Sequence, residues 1–460
     1  MKRRKLRLSC LLLLVGAVNA NAQDTRFPSY DDDAVFVGDT ADTGTYVGDS
    51  YVGSGSSVRG ETVGWSETAP AAGGSHHLPG SHSAHRSQHA TQGHYHAPSS
   101  YASSEYCGEI GSVLHGCNPK WLRAETLLWF PKGRDGSPLV SANTATGDPL
   151  QTVFGNDIGE GLAPGFRLDF GHYFAGGQYG LGARVWGLYD ASDDFSASSD
   201  GTRDLARPFF NTNPVFGPPR DDFAIIGGVL GGETFTGSVN AESELDMIAT
   251  EAYGRMMLGQ GAGFHVDLLG GYSYFGIDDT LTINSSTTNV TTDPGLVRTF
   301  RDSYETENHF HGGQIGLETI LKQGRWSLLT LTKVHLGNVR QQVNIDGSST
   351  RQVAAPVPLE TFDNGFLVQG QQGQYERDQF TFVPELNLKL AYMLRRNISL
   401  SVGYSFLYWD DLALASDQID NRVDGALLLT DDPNPVQEDF TIRDSGFWIQ
   451  GIDLGVTIDF

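Results

Sequence analysis

The sequence lacks the features of several large protein classes. After residue 22, no stretch offers the roughly 20 consecutive apolar residues that a membrane-spanning helix needs. Cysteine is scarce, at 3 of 460 residues. Cys107 and Cys117 could close a short disulfide loop in an oxidising compartment, and two thiols without nearby partners make a metal site the weaker alternative. Positive charge is in deficit, since 31 Lys and Arg face 55 Asp and Glu for a net charge of -24. That balance argues against nucleic acid as a partner.

Common catalytic motifs are absent as well. The sequence has no P-loop, no His-Glu-x-x-His and no Gly-x-Ser-x-Gly. Gly403-Tyr404-Ser405 lacks the second glycine, and Gly259-Gln260-Gly261 joins two predicted strands, so turn geometry explains it. We therefore expect a protein that is not an enzyme and needs no cofactor.

One pair of histidines leaves alternatives open. His309 and His311 share a strand face beside Glu307, which could hold a metal ion or form the polar rim of a membrane protein. A hydrolase dyad of Asp, His or Ser could also lie in acidic loops at the outer rim. Those loops could bind divalent cations loosely, or they could form a solvated, repulsive surface. They are Asp190–Asp204, Asp410–Asp420 and Asp431–Asp432. We assign no metal site.

The N-terminal region predicts export. Residues 1–22 combine a basic start, the apolar run Leu11–Val18 and the small-x-small site Ala20-Asn21-Ala22, the pattern of a secretory signal peptide. The run is too short to span a bilayer as a helix. Residues 23–118 are rich in Gly, Ser and His and cannot bury enough apolar area to fold. We expect a disordered periplasmic segment whose histidines could contact divalent cations or cell-wall material.

From residue 119 the sequence changes to alternating strands. Ten segments have a period of two and meet or exceed the roughly 9–11 residues that a tilted strand needs to cross the hydrocarbon layer. They are Trp121–Phe130, Gly165–Tyr173, Gly180–Tyr189, Asp246–Leu258, Phe264–Phe275, Phe310–Leu321, Trp326–Gly337, Phe380–Leu394, Ile398–Trp409 and Phe447–Phe460. Val343–Gly347 and Asp279–Ile283 could extend strands or add a hairpin, for twelve strands in all. Residues 119–460 are thus predicted to form an all-β, antiparallel, up-and-down transmembrane barrel.

Connection lengths support that topology. Short turns such as Gly259–Gly263 and Arg395–Asn397 alternate with long connections such as Asp190–Leu245 and Asp410–Gly446. In an outer-membrane barrel, the short turns lie in the periplasm and the long loops outside. With ten strands, both ends of the barrel segment would lie on the periplasmic side.

The last strand shows the two faces most clearly. Five apolar side chains share one face, which we expect to contact lipid, because an Arg or Lys there would cost roughly 2–4 kcal/mol near the midplane. They are Ile452, Leu454, Val456, Ile458 and Phe460. Aromatic residues near strand ends predict girdles at the two membrane interfaces. These are Trp129, Tyr179, Trp326, Tyr408 and Trp448.

The opposite faces predict a charged lumen. The inward candidates are Arg123, Glu125, Arg167, Asp169, Arg184, Glu251, Arg255, Asp267, Glu318, Lys333, Glu385, Lys389 and Asp453, together with His265 and His335. Cations and anions are nearly balanced, and a small barrel has little free interior. We therefore expect a lumen packed by salt bridges, since a selective pore would show charges of one sign at a constriction.

Several segments carry a family pattern. They include Trp121–Trp129, Gly270–Tyr274, Asn308–Gly316, Phe382–Leu386 and Phe447–Gly451. In order and spacing they resemble the seventh numbered outer-membrane beta-barrel family of the planctomycetes, over nearly all of residues 119–460. One departure is that Leu414-Ala415-Ser416 stands where Arg-Pro-Gly is expected. The resemblance implies an outer-membrane barrel of unassigned activity, whose final strand is read by barrel-assembly machinery, and it supplies no catalytic residues.

The functional expectation follows from these patterns together. We expect an outer-membrane β-barrel in contact with outer-membrane lipid and barrel-assembly machinery, with a structural or surface-interaction role. The first alternative is a narrow porin-like channel for small solutes or ions. An outer-rim hydrolase is the second alternative, and a soluble secreted sandwich is the third.

Overall fold

The computed structural model describes residues 119–143, 148–214, 217–353, 357–425 and 440–460. The chain divides into two units, Met1–Gly93 and His94–Phe460, and every described residue belongs to the second. The predicted signal peptide, the segment 23–118 and the predicted disulfide Cys107–Cys117 lie outside the described residues.

The described chain is built almost entirely from strands. They are β1 (Lys120–Pro131), β2 (Arg134–Asp135), β3 (Val140–Ala142), β4 (Gln151–Phe154), β5 (Asp157–Ile158), β6 (Ala163–Phe174), β7 (Tyr179–Ser199), β8 (Leu205–Asn211), β9 (Arg220–Leu230), β10 (Glu233–Gly261), β11 (Phe264–Asn289), β12 (Leu296–Gln323), β13 (Trp326–Gln352), β14 (Glu360–Phe362), β15 (Gly373–Arg395), β16 (Ile398–Leu412), β17 (Arg422–Val423) and β18 (Ser445–Asp459). Short 3-10 turns lie at Ala175–Gly177 and Ser416–Gln418. None of the helical segments in the described ranges is long and apolar enough to cross a membrane.

Ten of these strands close into an antiparallel ring. Around the ring they are β1, β6, β7, β10, β11, β12, β13, β15, β16 and β18, and β18 pairs back onto β1 from Ile449 opposite Pro131 to Asp459 opposite Trp121. Neighbours in the ring are neighbours in chain order, so the topology is up-and-down. The predicted ten-strand antiparallel barrel is confirmed, and each predicted segment overlaps one ring strand.

The two ends of the ring differ. At the turn end, two-residue connections join β10 to β11 and β12 to β13, with Gly263 at φ 93° and Gly324 at φ 60°. Glycine adopts that left-handed conformation with little strain, which permits such tight connections. At the loop end, the connections after β1, β7, β13 and β16 are long and carry the remaining short strands.

The ring is also uneven in height. β10, β11, β12 and β13 contain 29, 26, 28 and 27 residues, whereas β1 and β6 contain 12 each. With β7 and β15, these long strands form what we call the tall wall. Strands rise about 3.3 Å per residue, so the tall wall extends far past the height that spans a bilayer. The strands predicted for the tall wall are therefore too short at the loop end, and of the two alternatives left open for Val343–Gly347 and Asp279–Ile283, extension of ring strands is confirmed.

A reversal of polarity explains the error. On β13, Leu336 faces outward and is 47% exposed, while Lys333 faces inward and is 2% exposed. Farther toward the loop end, Arg340 faces outward, whereas Val343 and Ile345 face inward at 1% and 2% exposure. The period of two continues, but its apolar face turns from lipid to the interior. The same extension makes the predicted acidic loop Asp190–Asp204 a part of β7 as far as Ser199.

Candidate functional site

The interior of the ring is the candidate functional site, and its first layer lies at the turn end. Arg255 on β10 pairs with Glu318, with 3.3 Å between Nη2 and Oε2, and its Nη1 lies 3.5 Å from Asp267. Asp267 also accepts a hydrogen bond of 2.7 Å from the Tyr173 hydroxyl and lies 2.7 Å from the His265 imidazole. One cation is thus enclosed by two carboxylates, and one of those carboxylates is tied to two further side chains.

The second layer joins two cations and three carboxylates. The Arg184 guanidinium lies 2.8 Å from Asp169, 3.2 Å from Glu385 and 3.7 Å from Glu251. The Lys333 ammonium lies 2.6 Å from Glu251 and 2.7 Å from Glu385. These groups come from five strands, so the network ties opposite sides of the ring together across the lumen. Shared, charge-assisted contacts of this kind fix side-chain positions.

The third layer is centred on Arg167. Its guanidinium lies 2.5 Å from both Glu125 and Asp453. Lys389 contacts the same carboxylates, at 2.6 Å from Glu125 and 3.9 Å from Asp453. The Trp129 indole donates a hydrogen bond of 2.8 Å to Asp453. The predicted role of Trp129 in an interfacial girdle is therefore wrong, because its ring is buried inside the barrel.

The thirteen predicted lumen charges all belong to these inward faces. Twelve of them are at most 5% exposed, and Arg123 is half-buried on the same face of β1. Of the two histidines, His265 contacts Asp267, and His335 lies 3.2 Å from Glu385. Positive and negative groups alternate in space, and the described lumen shows no ring of one sign. Such paired charges hold the strands of the ring in register.

An aromatic layer covers the charges on the side of the loop end. Ring centroids lie 5.3 Å apart for Trp129 and Trp186, 6.1 Å for Trp186 and Phe275, and 5.8 Å for Phe275 and Trp409. Phe310 lies 5.3 Å from Phe275. These side chains are at most 2% exposed. Tilted aromatic contacts at such distances are favourable and hold this layer together.

The loops fold into the ring above this layer, where buried polar side chains anchor them. Asp279 on β11 pairs with Arg134 and accepts a hydrogen bond of 2.9 Å from the Ala415 amide. Asn308 on β12 bonds both the amide and the carbonyl of Ala413, at 3.0 and 2.9 Å. The connections after β1 and β16 are thereby attached to the tall wall.

A second anchor holds the other two long loops. Asp302 on β12 accepts hydrogen bonds from the amides of Phe366 and Leu367, at 2.7 and 3.0 Å, and pairs with Arg207 at 2.7 Å. Asp302 is fully buried. Neither this residue nor Asp279 was predicted from the sequence. Both are carboxylates whose nearest neighbours on the same strand face are apolar or aromatic, and that pattern could have identified them.

The anchored loops and the tall wall enclose a hydrophobic core, which we call the plug. Wall residues of the plug include Val239, Ile283 and Val343, and loop residues include Leu139 and Phe366, each at most 2% exposed. Each buried side chain of this size contributes about 1.5–3 kcal/mol. The loop end of the ring is therefore filled as the interior of a soluble domain is filled.

Two carboxyls in the connection after β16 have shifted pKa values. Burial raises the pKa of Asp417 to about 6, and the nearby Asp279 adds to the effect, although the Ser445 hydroxyl donates a hydrogen bond of 2.7 Å to Asp417. Burial acts in the same direction at Asp420, but hydrogen bonds from Arg422 hold its pKa below the ordinary value. The two carboxyls therefore have opposite effects on how the stability of the loop depends on pH.

The predicted histidine pair lies outside the lumen. His311 Nδ1 is 2.6 Å from the Tyr272 hydroxyl, and His309 Nδ1 is 3.1 Å from the Tyr274 hydroxyl. His309 also lies 3.4 Å from Glu307. The described ranges contain no group of three or more His, Cys, Asp or Glu side chains that could hold a metal ion. The contacts are those of a polar belt just beyond the apolar surface.

The outward face at the turn end is apolar. Leu386, Leu388 and Leu390 on β15 are 43–46% exposed. The final strand continues this surface with Ile452, Leu454, Val456 and Phe460 at 38–60% exposure, beside the half-buried Ile458. Apolar side chains that remain exposed over neighbouring strands match an environment of lipid rather than water.

Several solved structures align with the chain at low sequence identity. OmpT protease from Escherichia coli aligns at 9% identity and a TM-score of 0.35, over 75% of this chain and 96% of that one. The toluene transporter TodX from P. putida aligns at 8% identity and a TM-score of 0.17, over 76% and 91%. The channel DcaP from Acinetobacter baumannii aligns at 10% identity and a TM-score of 0.13, over 75% and 96%. No curated protein matches the chain.

A family profile gives the decisive comparison. Putative beta barrel porin-7 (BBP7) matches residues 121–460, which is nearly the whole predicted barrel segment. The predicted family resemblance is confirmed. The ring and its apolar exterior are those of an outer-membrane barrel, and the chain belongs to the BBP7 family.

Proposed function

We propose that this outer-membrane barrel is closed to solutes and acts as a structural or surface-interaction protein through its loop end. The observation that carries the proposal is the continuous filling of the interior. Three charge networks, an aromatic layer and the plug follow one another along the barrel axis. An open pore needs a hydrated path, and each of these layers occupies the space through which it would run.

The charge networks support the closed state in a second way. Removing one partner from a buried ion pair costs about 3–5 kcal/mol. An entering ion would compete for charges such as Arg184 and Glu385, which already hold each other at 3.2 Å. The lumen charges therefore serve to join strands, and this role needs no substrate.

Planar-bilayer recording tests the proposal. The full chain, reconstituted at low density, is expected to give no reproducible conductance steps under conditions in which a general porin does. Reproducible unitary steps from the unmodified protein would overturn the closed-barrel proposal. They would instead favour a narrow porin-like channel for small solutes or ions, which is the alternative that the family description favours.

The loop anchors offer a matched pair of variants for a test by limited proteolysis. Asn308→Ala removes the side chain that holds Ala413 inside the ring, whereas Asn338→Ala removes an outer-face amide that bonds Asp378 at 3.1 Å. We expect only Asn308→Ala to increase protease cleavage of the connection after β16. Equal cleavage of the two variants would show that the anchor does not hold the loop.

An outer-rim hydrolase is the remaining alternative. His309 and His311 are bonded to tyrosine hydroxyls and a glutamate on the outer surface, and the proposal gives them no catalytic role. Alanine at both positions is expected to leave any peptidase or esterase background of the purified protein unchanged. Loss of such turnover would revive the hydrolase alternative.

The proposal includes two kinds of contact made by the outer surface. Outer-membrane lipid surrounds the apolar belt, and barrel-assembly machinery reads the final strand that ends in Phe460. Phe460→Ala is expected to lower the amount of heat-modifiable, folded protein in outer membranes. Gln450→Ala, on the same strand face near the loop end, is the control that should not lower it. Contacts of the His-rich segment with divalent cations or cell-wall material stay predictions.

A further inference from the structure

A separate cavity opens at the loop end, away from the charged lumen. It has a volume of about 400 Å³ and lies between the β8–β9 hairpin and the ends of β10, β11 and β12. Known sites for small molecules have volumes of about 300–1,000 Å³. Five phenylalanines line it: Phe209, Phe223, Phe235, Phe300 and Phe366.

Phe366 is in contact with two of the other rings. Phe366 lies 5.6 Å from Phe209 at 86° and 5.8 Å from Phe300 at 66° between ring planes. The Arg207 guanidinium lies 4.4 Å from the centroid of Phe366, and Asp302 neutralises it at 2.7 Å. This part of the wall is thus fixed before any ligand binds. Phenylalanines that line one cavity can bind an organic cation through their ring faces, and Arg207 already makes such a contact with Phe366.

Two carboxylates at the cavity are held by neutral amides. Asp222 accepts a hydrogen bond of 3.0 Å from the Asn211 side chain, and Glu233 accepts one of 3.0 Å from the Asn289 side chain. Both asparagines are buried, at 4% and 6% exposure. An amide donor orients a carboxylate without cancelling its charge. In the three charge networks of the lumen the carboxylates are paired with Arg or Lys, so this arrangement differs from those networks.

Backbone hydrogen bonds fix the orientation of both asparagine side chains. The Asn211 side-chain oxygen accepts hydrogen bonds from the backbone N–H groups of Asn213 and Gly425, at 3.1 and 3.2 Å. The Asn289 carbonyl accepts hydrogen bonds from the amides of Thr291 and Thr292, at 2.9 and 3.1 Å. With their carbonyls occupied, the side-chain amino groups must point at the carboxylates.

The remaining charges leave the cavity acidic. Asp293 supplies a third carboxylate, and Arg298 is the basic residue among the described lining. The Arg220 side chain is 3.9 Å from Asp222 but 57% exposed. Exposed pairs of that kind contribute only about 0–1 kcal/mol and are screened by salt. Aromatic residues and an excess of carboxylates over basic residues in the lining favour the same kind of ligand.

We propose that this cavity binds a small organic cation that carries an apolar group, such as an amine or a quaternary ammonium attached to an aromatic body. The apolar group packs among the phenylalanines, and the charge lies near Asp222 and Glu233. The cavity lies beside the plug at the loop end, and binding there is measured separately from conductance.

Isothermal titration of the full chain in detergent micelles tests the proposal. The probes are benzyltrimethylammonium, benzyl alcohol and phenylacetate, each corrected by titration into protein-free micelles. Saturable binding of the cation is expected, with benzyl alcohol at least about tenfold weaker and phenylacetate weaker still, as cation–π and charge attraction require. Equal binding of the cation and the alcohol, or no saturable binding of the cation, would overturn the proposal.

Variants locate the binding site. Asp222→Asn with Glu233→Gln keeps the shape and removes both charges, so cation affinity should fall by about tenfold or more. The control is Asp378→Asn, which alters another amide-held carboxylate on the outer face. Unchanged affinity in the double variant, or an equal loss in the control, would contradict the assignment.

Two measurements do not depend on the folding of the double variant. Phe223 is 39% exposed, so Phe223→Ala should keep the fold while weakening the cation about fivefold. Raising the salt concentration should weaken binding of the cation to the unmodified protein but not binding of the alcohol, because screening acts on charge. Insensitivity of the cation to both changes would overturn the proposal.

Discussion

Replacing Arg167 by methionine tests the effect of its charge separately from the effect of its size. Methionine nearly preserves the length of the side chain but removes the guanidinium that contacts Glu125 and Asp453, both at 2.5 Å. The Ser405 hydroxyl, 3.4 Å away, also loses a partner. Lys389 is then the one cation within 4 Å of two buried carboxylates in this layer.

The cost can be bounded from the geometry. Two unit charges 4 Å apart interact by about 4 kcal/mol at an effective dielectric constant of 20. Breaking a buried pair by removal of one partner costs about 3–5 kcal/mol, because the other charge stays desolvated. Arg167 is 2% exposed and its carboxylate partners are at most 4% exposed, so we place the cost of Arg167→Met in that range.

Two comparisons isolate the reason for the cost. Arg340 pairs with Glu376 at 2.6 Å, nearly the same distance, but both side chains are more than 50% exposed. Arg340→Met is therefore expected to cost far less than Arg167→Met, because solvent screens an exposed pair. Adding Asp453→Asn to Arg167→Met restores the charge balance while keeping acceptors for neighbouring donors, so the double variant should recover most of the loss.

Equilibrium urea unfolding in micelles, followed by tryptophan fluorescence, measures these free energies. Unfolding and refolding curves must coincide before a free energy of unfolding is taken from them. If Arg167→Met and Arg340→Met have equal effects, burial is not what gives the lumen pair its energy. A double variant less stable than Arg167→Met alone would likewise refute the charge-balance argument.

Three further predictions concern the loops and the outer surface. Because the pKa of Asp417 is raised to about 6, its protonated form stabilises the loop below the ordinary pKa, and that stability is lost as pH rises through 6. Asp417→Asn should therefore slow hydrogen exchange of the loop at pH 8 but leave it unchanged at pH 4. Asp279→Asn should leave the buried Arg134 without its ion-pair partner and lower the local stability of the loop after β1 by about 3–5 kcal/mol. Trypsin should then cleave that loop faster. Leu388→Arg, on the apolar exterior, should cost about 2–4 kcal/mol and reduce assembly, whereas Gln342→Arg, beyond the polarity reversal, should do neither.

The membrane-level part of the barrel was predictable from the sequence. In strands such as Ile398–Trp409 apolar and polar side chains alternate without interruption. Once the barrel is in the membrane, the apolar face must contact lipid. The inward charges follow from the same parity, so Arg167, Asp169 and Asp453 could be assigned to the lumen. Which charges pair with each other depends on the order and tilt of all ten strands, and a single strand does not contain that information.

The part of the barrel beyond the membrane was not predictable by the same pattern. There the outward residues are polar, as in Arg340 and Glu376, and the inward residues are apolar, as in Val343. Prediction of strands from an outward apolar face therefore stops where the polarity of the two faces reverses. The residues beyond that point were predicted to be loops. The prediction for Trp129 was wrong for a related reason. Its position near a strand end suggested a membrane interface, but it lies four residues from Glu125 on the same strand, so its side chain must also face inward.

The reversal of polarity also explains how one barrel combines two kinds of interior. Within the membrane, lipid takes up the apolar face, and the inward face can be charged because its groups pair with each other. Beyond the membrane, water solvates the outward polar face, and the inward apolar face must be buried inside the ring. The loops provide that cover, and Asp279, Asn308 and Asp302 hold them there. The plug is thus a consequence of making strands taller than the bilayer, and an open channel would need the same tall strands to face water on both sides.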